Sequence, residues 1–278
     1  MTLQIVVLAH NEERLISLCL DSLPLGEAGI AVAVVVNGSS DGTAQIVRSY
    51  ADRGVRLVEY DQGGKARSWN RFMLDEAPEA QYYLFVDGDA QLLPGTVRAL
   101  VGCLRENPSA NAAAGMPRNG RRARYYRRML VEDHGLFGDC YALSGDFVAR
   151  LRASGVRLPE DLIGDDSLIA ALANNDLGRD ADRREDAVVP CITGGFVCEP
   201  TALTIPGLIL QARRMVNYSV RHFQNRIISA LMQSDGPAAL PRRMADLYPE
   251  WLPGMGPRLN PLWFEFDRRA LARMRAAA

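Results

Sequence analysis

The sequence predicts an α/β protein, a mostly parallel, doubly wound sheet with helices on both faces, followed by a C-terminal helical extension. Three observations carry this. Apolar runs at Leu3–Leu8 and Ile30–Val36 read as strands, Val55–Tyr60 reads as a third, and the apolar run Tyr82–Val86 reads as a fourth, buried on both faces. Each run gives way to a polar or glycine-rich loop and then, in the first three cases, directly to a stretch of helical spacing, the alternation that builds parallel sheets. Past Pro200 the strand-like runs stop and a long helical pattern begins, which divides the chain into a core domain of residues 1–200 and an extension of residues 201–278.

The first strand ends at Ala9, His10 and Asn11, and Leu15, Leu18, Cys19 and Leu23 follow at helical spacing. Asn11 suits the helix cap, with Glu12 and Glu13 in the positive first turn. After the second strand, Asn37–Thr43 (NGSSDGT) is a turn and Ala44–Tyr50 a helix. After the third, Gly63, Gly64 and Lys65 lead into a helix over Ala66–Glu76. The fourth run stops at Asp87-Gly88-Asp89. Two carboxylates spaced by two in extended chain point the same way, and the carboxyl edge of an open α/β sheet is where ligands bind. Such a pair suits a hard divalent cation, although the same three residues alone could serve as a β-turn. Beyond it, Thr96–Arg105 is predicted helical, Asn111–Gly115 a short strand, Arg121–Leu136 an Arg-rich helix or mobile loop, and Tyr141–Gly145 extended. A second acidic cluster, GDDSL, enters a helix with Asp165 or Asp166 as its cap. Val188–Cys191 and Phe196–Cys198 flank Gly194 and Gly195 and suggest a hairpin. In the extension, Ile205–Met232 reads as one long helix, the proline-rich stretch 234–261 as an ordered wrap or a linker, and Leu262–Arg275 as a final amphipathic helix.

With 278 residues, 48% of them hydrophobic, the chain can bury a full core and is not disordered. A net charge of −1 gives no bulk electrostatic case for a nucleic-acid partner. Lys65 is the sole lysine, and positive charge is otherwise carried by arginine, with positions 121, 122, 124, 127 and 128 forming a cluster. Five scattered cysteines without a CxxC pair argue against a zinc site or disulfide framework. The amino terminus lacks the basic start and long apolar run of a signal peptide, and no stretch is long enough to span a membrane, so the expected location is cytoplasmic.

Taken together, the HNEE, NGSSDGT, GGKARSWN, DGD and GDDSL segments resemble, in order and spacing, family 2 glycosyltransferases of the GT-A nucleotide-sugar fold, over roughly residues 3 to 215. The resemblance implies a metal-dependent, inverting enzyme that moves one sugar from a nucleotide sugar, a UDP-sugar by family precedent, to an acceptor hydroxyl. It places Ala9, His10, Asn11 and Glu12 with Asn37 around the base and ribose, Lys65 near the donor phosphates, Asp87 near ribose or metal, and Asp89 on a Mn²⁺ or Mg²⁺ ion bridging the diphosphate. Asp166 becomes the general base. The family's usual Glu is Asp165 here, which leaves open which of the two acids faces the acceptor. Gln211 and Arg214 resemble the acceptor-side QxxRW signature, with Met215 in place of Trp. The arginine cluster falls where relatives carry an acceptor-side loop, suited to a phosphate-bearing acceptor or to peripheral contact with an anionic membrane, although a solvated helix face is the more frequent explanation of such runs. His134 and His222 are further candidates for a metal or phosphate contact. A non-catalytic nucleotide-binding protein and a sugar nucleotidyltransferase are the competing classes. The latter is disfavoured because AHNEE is not a glycine-rich phosphate loop.

Overall fold

The computed structural model describes residues 1–200 and 204–278, so the 200/201 boundary expected from the sequence abuts three residues, 201–203, that lie outside the described residues. Eight strands form one sheet: β1 (Leu3–Ala9), β2 (Ile30–Asn37), β3 (Val55–Tyr60), β4 (Tyr82–Asp87), β5 (Ala90–Leu92), β6 (Ala112–Pro117), β7 (Cys140–Ser144) and β8 (Val188–Cys198), in the order β3-β2-β1-β4-β7-β6-β8-β5. The pairings β3-β2, β2-β1, β1-β4 and β6-β8 are parallel; β4-β7, β7-β6 and β8-β5 are antiparallel. The half of the sheet read from the clearest apolar runs is therefore parallel, and the other half is mixed. The helices are α1 (Ile16–Asp21), α2 (Thr43–Arg48), α3 (Lys65–Asn70), α4 (Thr96–Glu106), α5 (Ala123–Glu132), α6 (Gly145–Ser154), α7 (Asp165–Asn174), α8 (Ile205–Ser234), α9 (Tyr248–Trp251) and α10 (Pro261–Ala277).

The two-residue period of β1 sorts its side chains onto two cores. Ile5, Val7 and Ala9 pack with α1, α2 and α4 on one face. Val6 and Leu8 belong to the other, which gathers α3, α6 and α7 together with Phe223 and Ile227 of α8 and Leu271 of α10. The proline-rich stretch is an ordered wrap: the Asp161 carboxylate accepts hydrogen bonds from the backbone N–H groups of Met244 (2.6 Å) and Ala245 (3.1 Å), and Gln224 of α8 donates to the Tyr248 hydroxyl at 2.9 Å. The extension thus grips the loop that leads into α7.

Four local expectations are corrected. The hairpin at 188–198 is one long strand, because Gly194 and Gly195 stay extended beside β6, where the register shifts between Ala114 and Met116. The helix after Lys65 changes to a π-helical turn at Arg71–Glu76. Asn11 does not cap α1; it adopts a left-handed φ of 56° and its side-chain oxygen accepts from the Ser40 N–H at 2.8 Å, tying the β1 loop to the β2 loop. Neither Asp165 nor Asp166 caps α7. The cap position is Gly164 at φ +88°, and the two acids are the first helical residues. The Arg-rich segment, for its part, is largely helical, as α5, with Ala123 and Leu130 buried.

Candidate active site

The site begins with sheet geometry. Gly88 donates its N–H to the Leu8 carbonyl at 2.9 Å, and a Cβ at Gly88 would stand 3.0 Å from Ala9 Cβ, so the turn after β4 closes directly over the end of β1. Because β7 runs antiparallel to β4, with Val86 opposite Cys140, the start of β7 lies beside the end of β4. That brings Asp139 next to Asp87 and Asp89, and carboxylate oxygens of the three lie within 4.8 Å of one another. Beneath them Trp69, Phe85 and Tyr141 stack at 5.7 and 4.6 Å between centroids, and Trp69 donates to the Tyr141 hydroxyl at 3.0 Å. This buried stack fixes α3 against β4 and β7, and with it the position of Lys65.

Lys65 Nζ reaches both oxygens of Asp87, at 2.6 and 2.8 Å, and lies 3.9 Å from Asp165. Burial disfavours its charge, but Asp165 and Asp87 outweigh burial and hold its pKa well above the ordinary lysine value. Gly138 keeps that approach open, since a Cβ there would sit 3.0 Å from Nζ. Burial, reinforced by Asp89, raises Asp139 to about 6. Burial also raises Asp87, with Lys65 opposing and Asp139 and Asp89 adding to the effect. Acids outnumber cations at this edge, and a hard dication relieves that excess. The donor set of three carboxylates therefore fits Mn²⁺ or Mg²⁺.

Across a cavity of about 870 Å³ stands the second acidic pair. Asp87, Asp89 and Asp139 line one side, Asp165 and Asp166 another, and α8 contributes Arg214, Tyr218 and Arg221. Asp166 accepts from Arg221 at 3.0 Å and from the Gly138 N–H at 3.3 Å, and Arg221 also donates to the Ser167 hydroxyl. Arg221 lies against Gly164, where a Cβ would fall 2.3 Å from its Nε. Asp165 is buried, and its Oδ2 makes no hydrogen bond among the described residues.

The β1 and β2 loops form the adjoining edge. His10 Nδ1 contacts the Asn37 carbonyl at 2.6 Å, Asn37 Nδ2 donates to the Ala9 carbonyl at 3.0 Å, and Gly64 donates to Asn37 Oδ1 at 3.1 Å. Burial, with the neighbouring Asp89 next, raises Glu12 to about 7 against the pull of Arg214. Ala9, His10, Asn11 and Asn37 are thus one bonded edge beside the acids, and Glu12 next to it donates its N–H to the Thr43 hydroxyl at 2.8 Å. Among the described residues the cavity wall includes Arg214 but not Gln211, one turn earlier. His134 and His222 adjoin lining residues but are not themselves part of the wall. His134 contacts the Val188 carbonyl at 2.9 Å, and His222 packs edge-on against Phe223. Sequence reading passed over Asp139 and Arg221. The signal for Asp139 was a Gly-Asp pair opening an apolar run, informative only once that strand is known to be antiparallel. Arg221 had the spacing of Arg214 plus two turns.

The arrangement is one that can hold a dication against a polyanionic ligand, with a carboxylate across the cleft. Residues 4–152, over half of the chain, match the family described as Glycosyl transferase family 2, and the chain belongs to that family of glycosyltransferases. No curated protein matches it in sequence. Among solved structures, it resembles the mannosyltransferase PcManGT from Pyrobaculum calidifontis in complex with GDP-Man and Mn²⁺ (24% identity, 99% of this chain and 75% of that one, TM-score 0.62). It also resembles glucosyl-3-phosphoglycerate synthase from Mycobacterium tuberculosis in complex with Mn²⁺, UDP-Glc and phosphoglyceric acid (21% identity, 79% and 78%, TM-score 0.55). A third is S. aureus TarS 1-349 in complex with UDP-GlcNAc (16% identity, 100% and 84%, TM-score 0.54). These likenesses establish the GT-A fold.

Proposed function

We propose that the protein transfers a single sugar from a nucleoside-diphosphate sugar, a UDP-sugar first among the donors to test, to an acceptor hydroxyl, with inversion at the anomeric carbon. The observation that carries this reading is that Asp87, Asp89 and Asp139 face Asp166 across one cavity. Asp89 and Asp139, with Asp87, would hold a Mn²⁺ or Mg²⁺ ion, which when bound neutralises the leaving diphosphate as a Lewis acid. Lys65, already charged and fixed by Asp87, adds a permanent positive charge on the same side. His10, Asn11, Glu12 and Asn37, with the Ala9 backbone, form the edge that receives base and ribose.

Asp166 is the general base. It lies at the N-terminal end of a ten-residue helix, where the dipole favours a carboxylate, and its Oδ1 is held by Arg221. From there it accepts the proton of the acceptor hydroxyl as that oxygen attacks the sugar carbon from the face opposite the diphosphate, and attack from that side inverts the centre. Asp165 is tied to Lys65 and acts in support. Arg214 and Tyr218, one turn apart on α8, offer the acceptor a charged and an aromatic contact.

The test is transfer itself. A panel of UDP- and GDP-sugars is incubated with Mn²⁺ and acceptors bearing free hydroxyls, and nucleotide release is followed. Release that depends on both Asp89 and Asp166, and a product of inverted configuration by NMR, is expected; turnover that survives both Asp89→Ala and Asp166→Ala contradicts these roles.

A further inference from the structure

The mouth of the cavity is framed by two helices with an unusual surface. Tyr126 and Met129 of α5 and Arg214 and Tyr218 of α8 line the same cavity, so both helices border its opening. The first turns of α8 expose large aliphatic side chains in succession, Ile205 at 76%, Leu208 at 59% and Ile209 at 52%. Isolated exposed apolar residues need no explanation, but three in succession at a helix start, Leu208, Ile209 and Leu210, each about half exposed or more among the described residues, do. On the other side of the opening, α5 exposes Tyr125 and Met129 and, towards a shallow groove shared with Ile192, Val131.

Charge says what covers this surface. Residues 118–133 contain six arginines against two acids, Glu132 and Asp133, with Arg128 paired to Glu132, and residues 205–220 add Arg213 and Arg214 and no acid, in a chain whose net charge is −1. Arginines interleaved with exposed aliphatic and aromatic side chains around one opening fit an interface that is both anionic and greasy. Tyr125 and Tyr126 in the same run carry amphipathic rings of the kind that suit the level where headgroups meet acyl chains. A second copy of this chain would bring the same positive charge to both sides and is opposed by it.

We infer that α5 and the first turns of α8 form a docking surface for a lipid bilayer bearing anionic headgroups, which sets the cavity mouth against the membrane. Given the transferase reading above, on which this last step rests, the acceptor hydroxyl is then one presented at that bilayer by a lipid. The ten-residue α5 and the start of α8 lie on the surface rather than through it, and no described helix is long and apolar enough to cross a membrane.

Vesicle co-sedimentation tests this with the full chain. Wild type should pellet with phosphatidylcholine vesicles containing about 30 mol% phosphatidylglycerol, far less with phosphatidylcholine alone, and progressively less as salt screens the charges. An arginine at such a surface contributes about fivefold in partitioning, so Arg121→Gln/Arg122→Gln/Arg124→Gln together should lose about 100-fold. Leu208→Asp/Ile209→Asp should lose binding by removing the apolar anchor. All these positions are outside the proposed chemistry, so thermal stability and UDP–Mn²⁺ binding should be unchanged, which shows the variants folded. Absence of wild-type pelleting, or pelleting that ignores both sets of substitutions, overturns the inference. So does a wild-type dimer in sedimentation equilibrium that the aliphatic substitutions dissociate, since that assigns the face to a second copy. Loss of UDP–Mn²⁺ binding in wild type would sink the donor reading while leaving vesicle binding to stand or fall by itself.

Discussion

Gly164→Ala is the sharpest single perturbation, because it removes no charged group. At φ +88° an alanine is strained by about 1–2 kcal/mol, and its Cβ would lie 2.3 Å from Arg221 Nε, 2.6 Å from Cδ and 2.7 Å from Cζ. Ordinary contact between such atoms is about 3.5 Å, so the guanidinium must retreat by about 1 Å or the backbone must give. The contact at risk is the 3.0 Å pair from Arg221 to Asp166. A displacement of about 1 Å in a positioned catalytic group costs up to about 100-fold in rate. The expected result is a fall of about 10- to 100-fold in kcat with donor KM within about twofold, and a melting temperature lower by about 2–6 °C from the strain alone. Arg221→Lys, which keeps the charge but not the planar fork, should fall in the same direction and by less. Steady-state nucleotide release and differential scanning fluorimetry read both. A Gly164→Ala enzyme with wild-type kcat would show that Arg221 does not set the position of Asp166 for catalysis.

Other predictions follow from the same geometry. Asp139→Asn should weaken Mn²⁺-dependent UDP binding by about 10-fold or more by removing one of three carboxylates, and nucleotide affinity measured in a chelator should not change. Lys65→Met should leave Asp87 and Asp165 without their shared cation and lower both stability and diphosphate affinity, the latter by about 10-fold, measured by thermal shift and calorimetry. In metal-free protein, Glu12 has a folded pKa of about 7, above its ordinary value of 4.5, because burial and then Asp89 disfavour its charge. The folded state therefore binds the extra proton, and this contribution to stability is complete below pH 4.5 and lost as pH rises through 7. Glu12→Gln should accordingly narrow the melting-temperature difference between pH 5 and pH 8, and an unchanged difference would remove Glu12 from that role. Asp267, fully buried in α10, accepts from the N–H, Nε and Nη2 of Arg258, the last at 2.6 Å, and removing it strands a charge at a cost of about 3 kcal/mol, or a melting temperature lower by about 6–12 °C.

What was legible in the sequence was what depends on local pattern. The runs from Leu3, Ile30, Val55 and Tyr82 gave strands within one residue of their observed ends, because β1, β2 and β4 are buried on both faces over most of their length and the edge strand β3 still buries Val55, Val58 and Tyr60. The acids at 87, 89, 165 and 166 announced themselves by lying where apolar pattern stops, and the structure sets all four on one cavity. Pairing direction is not local. Cys140–Ser144 reads the same whichever way it runs, and only its antiparallel pairing with β4 makes Asp139 a neighbour of Asp87. Arg221 is likewise invisible until α8 is laid across Gly164, and Asn11 looked like a cap because a polar residue after a strand usually is one, whereas here it ties two loops together.

The central claim is that one cavity holds a nucleoside diphosphate together with a divalent cation, and calorimetric titration of UDP with Mn²⁺ tests it most directly. Wild type should bind in the presence of Mn²⁺ and weaken sharply in a chelator, and Asp89→Ala/Asp139→Ala should behave with Mn²⁺ as wild type does without it. If UDP and GDP both fail to bind wild type with Mn²⁺, or if UDP binds equally with the ion, with the chelator and with the double variant, the acidic edge is not the donor site.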